Sequence, residues 1–200
     1  MQTVDKSVVS RIYGNGRGWA FSPNQFLDLG GRQAVDVTLH RLAKAGTIRR
    51  LARGLYDYPK HHPTFGTLSP DPDAVAKALA GKHGVRLQPS GAYAANLLGL
   101  SEQVPAKIVF LTDGPSKRIK LDAQEISLKR TAPRNLAMAG RLNGLVIQAL
   151  RYLGKARVSE QTVRHLQRQL QPADLKSLRK DAVHAPAWIG DVLRRLSAES

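Results

Sequence analysis

Four prolines, Pro59, Pro63, Pro70 and Pro72, interrupt the stretch from Tyr58 to Asp73. Proline fixes φ and lacks a backbone N–H, so no regular element of ordinary length can run through this stretch. The break sets the organisation: a domain over residues 1–60, a linker over 61–72 and a second domain over 73–200. The chain has 200 residues and 42% hydrophobic content, enough apolar side chain for two cores.

Before the break, Lys6 to Tyr13 reads as a short helix closed by Gly14. Ser22-Pro23 offers an N-cap followed by proline at the first helical position, predicting a second helix to about Leu29. After Gly30-Gly31, the stretch from Arg32 to Ala45 carries Val35, Leu39 and Leu42 on one face, the spacing of a third helix, and Gly46 stops it. Two strand-like runs follow, Thr47 to Leu51 and Leu55 to Tyr58, joined by Ala52-Arg53-Gly54. Three helices and a hairpin predict a winged helix-turn-helix.

After the break, helical patterns at Asp73 to Gly81 and Ser90 to Leu98 flank a strand at Val85 to Gln88. Lys107 to Thr112 is β-branched and apolar, and Arg118 to Leu121 with Glu125 to Arg130 alternate as half-exposed antiparallel strands. Helical periodicity then fills Leu136 to Leu153, Ser159 to Leu170, Pro172 to Lys180 and Pro186 to Leu196. The expected class is α+β: an N-terminal winged helix-turn-helix followed by a mixed α/β domain ending in helices.

Charge supplies the first functional constraint. Thirty-one Lys and Arg face fifteen Asp and Glu, a formal net charge of +16 that calls for a polyanionic partner. Nucleic acid comes first and an anionic membrane surface second, but no window approaches a spanning length of apolar residues and Met1 to Asp5 lacks a signal core. The expectation is a soluble, cytoplasmic protein with no membrane partner. Without cysteine there are no disulfides, no zinc-cysteine sites and no thiol nucleophile.

In a helix-turn-helix the third helix enters the major groove, its N-terminal residues touch base edges and nearby cations hold phosphates. The candidate base readers are Arg32, Gln33, Asp36 and His40: Arg forks onto guanine, Gln onto adenine, and Asp36 accepts from cytosine or orients a neighbouring Arg. Arg32 and Gln33 lead. The candidate phosphate contacts are Arg17, Arg41, Lys44, Arg49, Arg50 and Arg53. The last three crowd a tight turn, where mutual repulsion would be relieved by phosphate. The alternative for the first group is the ordinary polar side of a surface helix, against which its position after the glycine turn weighs. In the second domain Lys107, Lys117, Arg118, Lys120, Lys129 and Arg130 form a basic surface that suits flanking DNA, an acidic protein face or solvent alone.

The run Leu42-Ala43-Lys44-Ala45-Gly46-Thr47-Ile48-Arg49-Arg50-Leu51-Ala52-Arg53-Gly54-Leu55-Tyr56-Asp57-Tyr58-Pro59 resembles the helix-to-wing signature of AbiEi-type antitoxins of type IV abortive-infection toxin-antitoxin systems. The resemblance extends through Pro89 to Leu100 and the strand Lys107 to Thr112. It implies an N-terminal winged helix that represses its own operon at inverted repeats of double-stranded DNA, bound as monomer or dimer. It also implies a C-terminal domain that counters a nucleotidyltransferase-like toxin, with or without direct contact.

No catalytic constellation emerges. His61 and His62 fall in the linker, while His83, His165 and His184 are isolated, and no histidine pair has metal spacing. Gly14-Asn15-Gly16-Arg17-Gly18 lacks the Gly-Lys-Ser/Thr ending of a phosphate loop. The expectation is no enzyme, no metal and no cofactor. Two rival readings stand beside the antitoxin: a transcriptional regulator without a toxin partner, and an RNA-binding protein.

Overall fold

The computed structural model describes residues 4–81, 84–121 and 124–198, so Met1 to Thr3 and His83 lie outside the described residues. The chain is α+β and forms two compact units, Met1–His83 and Gly84–Ser200.

The first unit opens with α1 (Val4–Asn15), β1 (Ala20–Phe21) and a 3₁₀ turn (Pro23–Phe26), followed by α2 (Arg32–Lys44). Next come β2 (Arg49–Ala52) and β3 (Leu55–Asp57), a second small hairpin of β4 (His61–His62) and β5 (Gly66–Thr67), and α3 (Pro72–Ala80). β2 and β3 pair antiparallel through a turn in which Gly54 takes φ +70°, a conformation that a side chain would strain. β1 adds to the far side of β3, so the sheet order is β1-β3-β2. Its core is aromatic: Phe21 and Phe26 are fully buried, Trp19 packs on both, and Val8, Ile12, Val35, Leu39 and Ile48 complete it.

Two expectations need correction here. The second helix, expected over residues 22–29, is a single 3₁₀ turn. The Ser22 N–H donates to the Gln25 side chain at 3.0 Å, which closes the turn, and Phe26 then sinks into the core while Asp28 swings out to Arg11. The segment expected as a linker carries the β4–β5 hairpin, and α3 belongs to the first unit. Asp71 caps α3 by accepting from the Asp73 N–H at 3.1 Å, and buried Val75, Ala76 and Ala78 face β1 and β3. Local pattern shows that such a helix has an apolar face, not which core receives it.

In the second unit, β6 (Leu87–Ser90) leads into α4 (Gly91–Leu97), then come β7 (Lys107–Thr112), β8 (Lys117–Leu121) and β9 (Gln124–Arg130). The sheet order is β6-β7-β9-β8. β8 and β9 are the expected antiparallel pair, while β7 and β9 run parallel, aligning Ile108 with Ile126 and Phe110 with Leu128. Ser90 does not cap α4 with its hydroxyl, which donates instead to the Val109 carbonyl at 3.2 Å.

The helix expected from Leu136 starts later. Pro133–Leu136 is a 3₁₀ turn, and α5 spans Leu142–Leu153. Then follow α6 (Glu160–Gln169), α7 (Pro172–Asp181) and α8 (Ala187–Leu196). Their inner faces meet in an aliphatic core that includes Ala94, Val146, Leu150, Leu166, Leu178, Ile189 and Leu193. Among the described residues, no helix is long and apolar enough to cross a membrane.

Candidate nucleic-acid interface

The sequence of α2 divides it into two faces. Val35, Thr38 and Leu39 are buried, while Gln33, Val37, His40 and Lys44, spaced i, i+4, i+7 and i+11, are exposed along one stripe. Asp5 of α1 anchors the helix by accepting from the Thr38 hydroxyl and pairing with Arg41 at 2.5 Å. The Thr38 hydroxyl first, and then the Arg41 guanidinium, hold the Asp5 carboxyl below the usual carboxylate range.

Arginine pairing decides which cations remain available. Before residue 60 the acids are Asp5, Asp28, Asp36 and Asp57, and each is matched to one arginine. Arg11 donates to both carboxylate oxygens of Asp28, at 2.7 and 2.6 Å, and these bonds hold Asp28 below its ordinary range. Arg32 Nε donates to Asp36 at 2.8 Å, and its Nη1 donates to the Asn24 side chain at 3.0 Å. Of the two roles open to Asp36, orienting a neighbouring arginine is the one seen here.

Arg49 Nε and Nη2 donate to the two oxygens of Asp57 at 3.0 and 2.6 Å across the β2–β3 pair. The expectation of three mutually repelling guanidiniums on the hairpin is therefore corrected. Asp57 is buried, with its side chain 2% exposed, and a buried carboxylate requires a counter-charge, so Arg49 serves the fold. Arg50 and Arg53 stay exposed on the hairpin, and Arg50 donates to the Ala52 carbonyl at 3.4 Å. Arg17 lies over the Tyr58 ring at 4.6 Å and donates to the Pro59 carbonyl at 3.0 Å, which fastens the loop after α1 to the end of the hairpin. Tyr56 is buried in the core, stacked on Phe21.

The structure thus divides the expected residues. Gln33, His40, Lys44 and Arg53 make no side-chain hydrogen bond or ion pair among the described residues, whereas Arg17, Arg32, Asp36, Arg41 and Arg49 are engaged within the protein. Sequence reading missed the β4–β5 hairpin, where Phe65 is 76% exposed and its ring meets His62. The signal was Thr64-Phe65-Gly66, a turn sequence ending in a glycine at positive φ.

In the second unit, Lys107 and Arg118 flank Glu125 at 3.3 and 3.9 Å, and Lys117, Lys120, Lys129 and Arg130 are exposed on the same strands. Among the described residues, no group of three or more His, Asp or Glu side chains is placed to hold a metal ion.

A family described as "Family of unknown function (DUF6088)" matches residues 7–178. No curated protein matches the chain. Among solved structures, the RV2827C protein from Mycobacterium tuberculosis is similar at 16% identity and a TM-score of 0.42, covering 100% of this chain and 82% of that one.

Proposed function

We propose that this chain, which belongs to the family of unknown function DUF6088, is a DNA-binding repressor whose first unit works as a winged helix-turn-helix. In this reading α2 lies in the major groove and the β2–β3 hairpin grips the backbone. One observation carries it. Once Arg11, Arg32, Arg41 and Arg49 are matched to carboxylates, the side chains still unengaged include Gln33, His40 and Lys44 on one stripe of α2 and Arg53 at the hairpin turn, with Arg50 beside it. An amide and an imidazole that can read base edges thus sit with cations that can hold phosphates. Gln33 and His40 are the base readers, with Arg32 held ready by Asp36, and Lys44, Arg50 and Arg53 hold phosphates.

The resemblance of Leu42 to Pro59 to AbiEi-type antitoxins supports the wider role: autorepression at inverted repeats, with the second unit countering a nucleotidyltransferase-like toxin. Co-expression tests that part. The chain should rescue growth of cells expressing a toxin encoded beside it, and failure of rescue would leave a plain regulator.

DNA reading is tested by a salt-titrated binding assay on the upstream region of its own gene against a scrambled duplex. The expected preference is above about a thousandfold. Arg50→Ala with Arg53→Ala should lower the slope of log affinity against log salt by about two, about one per phosphate. Gln33→Ala should cost about 1–3 kcal/mol at one base position and leave that slope alone. Unchanged affinity in the double arginine variant would sink the proposal.

A further inference from the structure

The second unit holds a cationic cleft that DNA reading does not use. It is bounded by the 3₁₀ turn Pro133–Leu136, one face of α5 and the turn at His184, and is shallow, with about 20 Å³ of enclosed space beneath an open mouth. Arg134, Arg151 and His184 line it, along with the amides of Asn135 and Gln148, and no carboxylate does. The floor is close-packed: a Cβ on Gly144 would lie 2.3 Å from the Met138 carbonyl oxygen, so glycine is what lets that turn rest on the helix.

The decisive residue is Gln148. The residue is 6% exposed, lines the cleft, and makes no side-chain hydrogen bond among the described residues, so what remains open of it faces the cleft. An amide confined in this way takes its hydrogen bonds from whatever occupies the cleft, water or ligand. Arg151 reaches Asn135 by a single long contact of 3.4 Å, which leaves most of its donors unused. Two guanidiniums, an imidazole and an amide around the mouth of one shallow cleft are a donor set for an oxyanion.

We infer that this cleft binds one phosphate group, either free phosphate or the monoester group of a small metabolite, as a ligand of the second unit. The site is independent of the DNA reading, because it shares no residue with α2 or the β2–β3 hairpin.

The test is titration calorimetry on the full chain at about 0.15 M chloride, where exposed charges are screened beyond about 8 Å. Inorganic phosphate and adenosine 5′-monophosphate are the two probes. One saturable site is expected for at least one probe. Equal affinities mean that the free ion is the ligand, and tighter monophosphate binding means that the phosphate arrives on a metabolite. Arg134→Gln with Arg151→Gln should weaken binding at least about tenfold, while Arg164→Gln with Arg168→Gln, two exposed arginines of α6, should not change it. Gln148→Leu, which removes the amide and no charge, should weaken binding severalfold and stands in if the double variant fails to fold. No saturable site for either probe, or equal binding by the cleft variants, would overturn the inference. So would loss of duplex-DNA affinity in Arg134→Gln/Arg151→Gln without any small-anion binding, since the cleft would then be a contact for the DNA backbone.

Discussion

The two units solve the same problem of stability with different material. The first closes around a few large rings, Phe21, Phe26, Trp19 and Tyr56, and ties its short elements with arginine–aspartate pairs. The second stacks helices on Leu, Ile, Val and Ala, and its ion pairs lie at the periphery, such as Arg194 with Asp191 and Lys107 with Glu125. A small unit with two- to four-residue strands has few positions facing inward, so each must bury much area, and polar pairs supply the register that longer strands would get from their ladders. The cost is that arginine does two jobs in the first unit, and charge in the sequence overstates what is free to meet a ligand.

The chain has one tryptophan in each unit, Trp19 and Trp188, so fluorescence in Trp188→Phe or Trp19→Phe backgrounds follows each unit separately during urea unfolding. The largest expected effect is Phe21→Ala, which empties the centre of the aromatic cluster and should cost about 3–5 kcal/mol in the Trp19 transition. A loss below about 1 kcal/mol would show that the ring cluster does not hold the first unit together.

Next comes Arg49→Ala, expected to cost about 2–3 kcal/mol by leaving Asp57 buried without a partner. That is below the full value for a broken buried pair because Arg49 itself is a third exposed. Its hairpin neighbour separates fold from function: Arg53→Ala should change stability by less than about 0.5 kcal/mol while lowering DNA affinity. If the two substitutions destabilise equally, the division of the hairpin arginines fails.

The smallest effect is on pH. Asp5 and Asp28 in the first unit and Asp113 in the second are held below the usual carboxylate range, Asp113 by the Arg86 side chain and then its backbone N–H. A carboxyl whose folded pKa is depressed contributes its full stability above the unfolded value and loses it as pH falls through the folded one. Acid titration below about pH 4 should therefore weaken the Trp19 transition more steeply than the Trp188 transition. Asp28→Asn should flatten the first curve and leave the second unchanged, and parallel curves would contradict the pairing argument.

Much of this was readable in the chain. The period of Val35, Leu39 and Leu42 placed α2 to within a residue, and Ala52-Arg53-Gly54 announced the hairpin turn, because both signals are local: a face repeats along a helix, and a glycine is needed where φ is positive. The β8–β9 pair and the closing helices were legible for the same reason. Tertiary structure alone decided three matters. It assigned α3 to the first core, it ran β7 parallel to β9, and it chose which arginines meet aspartates. Arg49 and Arg53 are four residues apart in one basic run, yet one turns to a buried carboxylate and the other to solvent. Composition counts charges, but the pairing of a charge depends on which side chain from a distant stretch arrives beside it, and only the folded chain brings those stretches together.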